Sequence, residues 1–247
     1  MDWHDEGLVL GCRKHGETSI ILEVMTRGHG RTLGLVRGGR SRTHQPTLQP
    51  GNRVALTWRA RLEDHLGMMS VEPVMMRAAS LMESQSGVLG IQLIAAHLRL
   101  LPEREPLPGV FDAVDAMVAH LPDALDAAEL MVKFEIALLQ ELGFGMDLTS
   151  CAMTGAREGL AYVSPKTGRA VTKDAGEPWA EKLLALPAFL RAGANMRPDA
   201  EMLSSAFALT GHFLTRNVYE PRGSEMPHAR ESFVRAVTNI RPQADFS

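Results

Sequence analysis

Cysteine is scarce. Cys12 and Cys151 are the only two in 247 residues, which excludes a disulfide-stapled miniprotein and fits a reducing cytoplasm. Aromatic residues amount to 5% of the chain, and the first 77 residues hold only Trp3 and Trp58. Long apolar runs are missing too. The least charged stretch, 84–98, contains Ser, Gln and Gly and is too short for a bilayer, so no membrane span is expected. Residues 1–15 offer no apolar run that would suit a signal peptide. Lysine gives way to arginine, 5 against 21, a choice that favours planar, forked contacts to phosphate over diffuse charge. Most telling is a gap in the acids: between Arg27 and Leu62 there are eight arginines (27, 31, 37, 40, 42, 53, 59 and 61) and not one Asp or Glu.

What is present suits a folded chain. Hydrophobic residues make up 45% and charged residues 22%, near the globular average, and the length suffices for one large domain or two small ones. The formal net charge of −3 conceals an asymmetry. Cut near residue 78, the first part carries 11 basic against 8 acidic residues, and the rest 15 against 21. Such a split points to an anion-binding face on the first part.

Strand signals fill the first 77 residues. Leu8, Leu10 and Cys12 alternate, 18–26 is an apolar run, and 31–37 follows a Gly-His-Gly turn. Over 52–61 the alternation sorts apolar from basic, with Val54, Leu56 and Trp58 on one face and Arg53, Thr57, Arg59 and Arg61 on the other. A fifth strand over 66–76 is interrupted late by Pro73. Five short strands predict a small barrel, which removes exposed edges. Beyond Arg77 the period becomes helical: Leu89, Leu93, Ala96 and Leu100 line up, as do Leu130, Phe134, Leu138 and Leu142. The same spacing joins Met202, Ala206, Leu209 and Phe213, and then Met226, Ala229, Phe233, Val237 and Ile240. That predicts a helical bundle, interrupted at about 145–178 by a Gly, Pro, Ser and Thr-rich insert of loop or small-hairpin type.

Catalytic signatures are missing. There is no G-x-S-x-G, no H-E-x-x-H and no complete phosphate-binding glycine loop, and nine histidines are scattered without ligand spacing. No enzyme, cofactor, catalytic residue or metal ligand is expected. Cys151-Ala-Met-Thr154 resembles half of a zinc knuckle with one sulfur where two belong, and a buried thiol is the better reading. The sharpest constellation is GRTLGLVRGGRSR over 30–42, where Gly38 and Gly39 let the backbone leave the strand and Arg37, Arg40 and Arg42 project from a polar loop. With Arg53, Arg59 and Arg61 it predicts a groove that follows a nucleic-acid backbone, salt-sensitive and largely indifferent to sequence. Trp58, on the apolar face, is read as core and not as a stacking platform.

Three segments in order carry a resemblance: Glu17-Thr-Ser-Ile-Ile-Leu-Glu-Val-Met-Thr, GRTLGLVRGGRSR, and Lys133-Phe-Glu-Ile-Ala-Leu-Leu-Gln-Glu-Leu-Gly-Phe-Gly running into Cys151. Together they resemble RecO, the family of bacterial DNA repair and recombination mediators, over nearly the whole chain. The resemblance implies an α+β chain: a five-stranded OB-fold barrel at 1–78, then an α-helical bundle at 79–247 with a small, degenerate zinc-knuckle-like insert. It implies binding of single- and double-stranded DNA, strand annealing and, with RecR, loading of RecA onto DNA coated by single-stranded-DNA-binding protein, whose C-terminal tail is a further partner. It places the protein in the cytoplasm at the nucleoid. The family's basic strip falls on Arg31, Arg37, Arg40 and Arg42, to which the alternation adds Arg53, Arg59 and Arg61. Arg216, Arg222 and Arg230 make a second basic cluster, with helix-end charges as the equal alternative. Some members carry a four-cysteine zinc module, for which this chain keeps only Cys151. The rival reading is a general nucleic-acid-binding module, for RNA as well, with a helical dimerisation domain.

Overall fold

The computed structural model describes residues 1–62 and 65–239. They fall into two compact units, Met1–Asp123 and a second from Ala124 onward. The strand-to-helix change near residue 78 therefore precedes the packing boundary, and three helices belong to the same unit as the strands.

Five strands close a barrel: β1 (Asp2–His15), β2 (Ser19–Thr26), β3 (Gly30–Val36), β4 (Arg53–Arg59) and β5 (Met68–Met75), in the order β1-β2-β3-β5-β4. Closure depends on β1. Its first half pairs with β4, from Asp2↔Arg59 to Leu8↔Arg53, and its second half with β2, with a bulge between Val9 and Gly11 where the strand turns from one partner to the other. The remaining seam is one parallel bridge, Leu35↔Met68. Alternation on β4 holds as read: Val54, Leu56 and Trp58 are at most 3% exposed and join Val9, Leu22, Val24 and Met69 in the barrel core. Pro73 sits within β5, whose last residues are exposed.

Short α1 (Ala78–Met82) and then α2 (Gln85–Leu98) and α3 (Pro108–Val118) complete this unit. Ser84 caps α2 by accepting from the Gly87 N–H, and Pro108 opens α3, where a missing N–H costs nothing. The buried stripe of α2 is Ile91, Ile94, Ala95 and Leu98 together with Leu93; Leu100 lies past its end, so the sequence-derived phase is corrected by about one residue. The helix is buried on most sides, as expected. Between α2 and α3 the chain returns to β3, where Arg31 bridges to Glu103. A Cβ on Gly30 would lie 2.0 Å from the Glu105 carbonyl oxygen, so only glycine admits this approach.

In the second unit, α4 (Ala124–Glu141), α6 (Ala200–Phe213) and α7 (His228–Thr238) pack together, burying Met131, Leu138, Phe207 and Phe233 among others. Ile240 lies outside the described residues. The interrupting segment is more regular than expected: β6 (Leu160–Val163), β7 (Ala170–Thr172) and β8 (Leu184–Ala185) form a sheet in the order β7-β6-β8, with one-turn α5 (Lys173–Gly176) between β7 and β8. Among the described residues no helix is long and apolar enough to cross a membrane.

Candidate nucleic-acid interface

The loop from β3 to β4 is built by its own backbone. Gly38 takes a positive φ of 65°, Ser41 and His44 close successive turns by donating to the Gly38 and Ser41 carbonyls, and the Arg40 N–H reaches back to Thr18. Buried Asn52 anchors its far end. The Asn52 amide donates to the carbonyls of Pro46 and Thr47, and its oxygen accepts from the N–H groups of Arg77 and Ala78. A loop held this way carries Arg37, Arg40 and Arg42 outward at little entropic cost on binding.

Arg37 and Arg42 are exposed and make no hydrogen bond or ion pair among the described residues. Arg40 is half tethered, with Nη1 donating to the carbonyls of Gly16 and Glu17. At the end of β4, Arg59 is 69% exposed and paired with Asp2 at 3.8 Å, while Arg61 beyond it is exposed, with no partner among the described residues. The barrel brings two of these segments together. Arg37 and His44 from the loop, Thr57 and Arg59 from β4, and Met68 and Ser70 from β5 line one groove of about 590 Å³.

Other arginines are already neutralised, which corrects the expectation of an uncompensated stretch. Arg31 is 11% exposed, with Nη1 3.1 Å from Glu23 and 3.2 Å from Glu103. Arg53 donates to Glu6 at 2.7 Å and to Asp115 at 2.9 Å, over the ring of Phe111. Arg27 forks onto Asp112, and that hydrogen-bonded pairing holds the Asp112 carboxyl below the usual carboxylate range. The reason is topological: the β2–β3 hairpin brings Glu23 to Arg31, the α2–α3 connection brings Glu103, the β1–β4 pairing brings Glu6 to Arg53, and α3 brings Asp112 and Asp115.

Two members of the second cluster, Arg216 and Arg230, are already engaged within the chain. Arg216 donates to the Pro165 carbonyl of the β6–β7 turn, and Arg222 is exposed in the turn that ends at Gly223. Arg230 lies against Glu135, which is 0% exposed, in a buried ion pair. Sequence reasoning missed His44, Thr57, Met68 and Ser70 as groove residues. Thr57 was legible from its alternation with Arg59; the placement of β5 beside β4 was not.

The zinc module that the resemblance raised does not fit. Among the described residues no group of three or more His, Cys, Asp and Glu is arranged to hold a metal. Cys151 is 1% exposed, and its sulfur instead accepts from the Thr172 N–H at 3.3 Å and lies 3.6 Å from Thr172 Oγ1. Desolvation pushes this thiol up, but hydrogen bonds from the Thr154 side chain and the N–H groups of Thr172, Met153 and Thr154 outweigh it and hold it down to about 6. An unfolded thiol keeps its proton up to about 8.5, so between these values unfolding takes up a proton and stability should rise with pH. Urea unfolding from pH 6 to 9 is expected to show that rise for the native chain and a flatter profile for Cys151→Ala. Parallel profiles would refute the lowered thiol.

Comparison with known proteins adds the family. The model described as recombination protein O N terminal matches residues 1–76, and that described as recombination protein O C terminal matches 93–226. A protein of Chelativorans sp. (strain BNC1) named DNA repair protein RecO is 60% identical over 245 residues, covering 99% of both chains. Its namesake in Mesorhizobium japonicum is 60% identical over 237 residues, covering 96% of this chain and 94% of the other. The one in Rhizobium etli (strain ATCC 51251) is 58% identical over 237 residues, covering 96% and 93%. With its two halves matched by the two models in order and relatives aligned from end to end, the chain belongs to the RecO family.

Proposed function

We propose that this chain is a non-enzymatic DNA repair and recombination mediator that holds single- and double-stranded DNA by its phosphates and promotes pairing of complementary strands. The observation that carries this reading is the convergence of exposed guanidinium groups on the barrel. Arg37 and Arg59 line one groove, Arg42 is exposed on the same loop as Arg37, Arg40 keeps part of its fork free, and Arg61 lies two residues beyond Arg59. Each phosphate met releases condensed counterions, which drives binding without base reading. Screening the repulsion between two strands lets them approach and pair, and no step consumes a nucleotide. Arg31, Arg53 and Arg230 leave the contact set because carboxylates already hold them. The family and the names of its relatives support the repair setting. Within it this reading includes RecR as co-mediator, RecA as the protein loaded, the C-terminal tail of single-stranded-DNA-binding protein as a docking partner, and a cytoplasmic site at the nucleoid.

The test is a double reversal, Arg37→Glu with Arg59→Glu, titrated with single-stranded DNA across salt concentrations. Removing two phosphate contacts should lower the salt slope by about 1.4 and the affinity by roughly 30- to 100-fold near 0.1 M salt. Folding should be unaffected, because exposed charges contribute little to stability. An unchanged slope would remove the groove from the interface. Annealing of strands coated with single-stranded-DNA-binding protein is expected of the native chain; retention of RNA without such annealing would favour a general nucleic-acid-binding module.

A further inference from the structure

The two aromatic residues of the basic part of the chain lie in one stack. Trp3 on β1 and Trp58 on β4 are direct cross-strand partners, with ring planes 15° apart and centroids 5.6 Å apart. At that separation near-parallel rings are slipped past one another and not eclipsed, so part of the half-buried Trp3 ring is left beside Trp58, which is itself only 2% exposed. The outer side of Trp3 is covered by His29 from the β2–β3 turn, at 3.9 Å and 6°. That imidazole is oriented by Asp5, whose carboxylate lies 3.0 Å from Nδ1. Beside the slipped indoles a cavity of about 290 Å³ opens, walled by Trp3, Trp58, His29, Thr32, Asp2 and Arg104. Its size suits a single ring system and falls at the lower limit for ligand pockets.

Arg104 marks the pocket as more than a packing defect. It is the one non-glycine residue with a positive φ, 61°, among the described residues, a conformation that costs energy and persists only where its surroundings enforce it. Here the Arg104 N–H donates to the Arg31 carbonyl at 3.0 Å and Nη2 to the His65 carbonyl at 2.8 Å. The result holds the guanidinium 5.6 Å over the Trp58 ring. Gly67 packs against the same indole, where a Cβ would come within 2.3 Å of it. Stacked faces, a cation and the acceptor oxygens of Asp2 and Thr32 together match a planar heterocycle with polar edges.

The pocket also adjoins the groove. Asp2 lines the pocket, Arg59 lines the groove, and the two are register partners across β1 and β4 with charged groups 3.8 Å apart. Trp58 and Arg59 are successive residues, so one strand end offers a ring inward and a cation outward. Pocket and groove therefore meet at this strand end, along the Asp2–Arg59 pair.

We propose that the Trp3–Trp58 pocket receives one unstacked nucleobase of a single strand whose backbone lies in the Arg37–Arg59 groove. This rests on the DNA-binding reading above and adds to it one point at which a base, and not only phosphate, is held. Duplex DNA, with its bases stacked and paired, is expected to use the groove alone.

The experiment uses the full chain carrying Trp179→Phe, since Trp179 is 55% exposed, lies in the other unit and would otherwise add to the emission. Two probes are titrated: an oligodeoxycytidylate of about 12 nucleotides and a strand of equal length made wholly of abasic residues. Both should bind with the same salt slope, but only the strand with bases should quench the indole emission, and it should bind about tenfold more tightly. Trp3→Leu should erase that difference and leave the abasic strand's affinity unchanged. The comparison of the two strands on unmutated Trp3 stands even if that variant folds poorly. Equal quenching and equal affinity would overturn the pocket and leave the groove reading intact, whereas binding of neither strand would overturn both. Saturation of the quench by micromolar deoxycytidine monophosphate would overturn the role in strand binding by making this a free-nucleotide site.

Discussion

Replacing Glu135 by Leu is expected to cost about 3 to 5 kcal/mol of stability, because it strands a buried cation. Glu135 sits on α4 at 0% exposure. Its Oε1 accepts from Arg230 Nε at 2.8 Å, and Oε2 accepts from Arg230 Nη2 at 2.9 Å and from the Thr210 hydroxyl at 2.5 Å. Arg230 reaches in from α7, donates also to the Phe207 carbonyl of α6 at 2.8 Å and lies over the Phe207 ring, so one carboxylate ties three helices together. Once it is gone, an arginine with an 11% exposed side chain has lost its counter-charge and keeps only neutral acceptors. Arg230→Met in the same chain should restore most of the loss, since a buried pair and an apolar pair of similar volume are often close in net stability. Urea unfolding, with hydrogen exchange on α4, α6 and α7 as the local readout, checks both. A single variant within about 0.5 kcal/mol of the native chain would show that the pair is dispensable.

The legible part of this molecule is the part written in short-range pattern. On β4, apolar and basic side chains alternate, and burial follows the alternation residue by residue. On α4 and α6 the buried positions Phe134, Leu138, Leu209 and Phe213 repeat at helical spacing. α1, only five residues long, and β8, only two, were too short to carry a period. The charge pattern failed for a different reason. Arg53 has no acid nearby in sequence, yet Glu6, 47 residues before it, and Asp115, 62 residues after it, meet it in space. Which strand closes a barrel, and which helix face lies over it, are long-range outcomes that residue spacing does not encode. The Trp3–Trp58 stack was hidden in the same way: Trp58 is core as read, but its partner is set by the β1–β4 pairing. A gap in the acids along the sequence overcounted the arginines left free in space, since Arg31 and Arg53 are paired with carboxylates.

That distinction between neutralised and free arginines makes the second large prediction. Asp115→Ala should destabilise the barrel unit by about 2 to 4 kcal/mol. Asp115 on α3 is 16% exposed and serves two cations, with Oδ1 2.5 Å from Arg77 Nη2 and Oδ2 2.9 Å from Arg53 Nη1. Arg77, 12% exposed, also donates to the Asp115 carbonyl and the Gly51 carbonyl, so this group joins α3 to the chain entering β4 and the chain leaving β5. Losing the carboxylate leaves Arg77 with neutral acceptors only, while Arg53 keeps Glu6, which is why the cost falls somewhat below that at Glu135. Asp112→Ala is the control, because its pair with Arg27 is more than half exposed on both sides and its loss should leave the urea midpoint nearly unchanged. The same chemistry separates folding from binding. Arg53→Ala should leave the salt slope for single-stranded DNA where it is, since a guanidinium already neutralised by two carboxylates releases no counterions from a phosphate, whereas each reversal in the Arg37–Arg59 groove should lower it. A fall in slope for Arg53→Ala equal to that for Arg37→Glu would return Arg53 to the interface and make its carboxylate partners exchangeable for DNA.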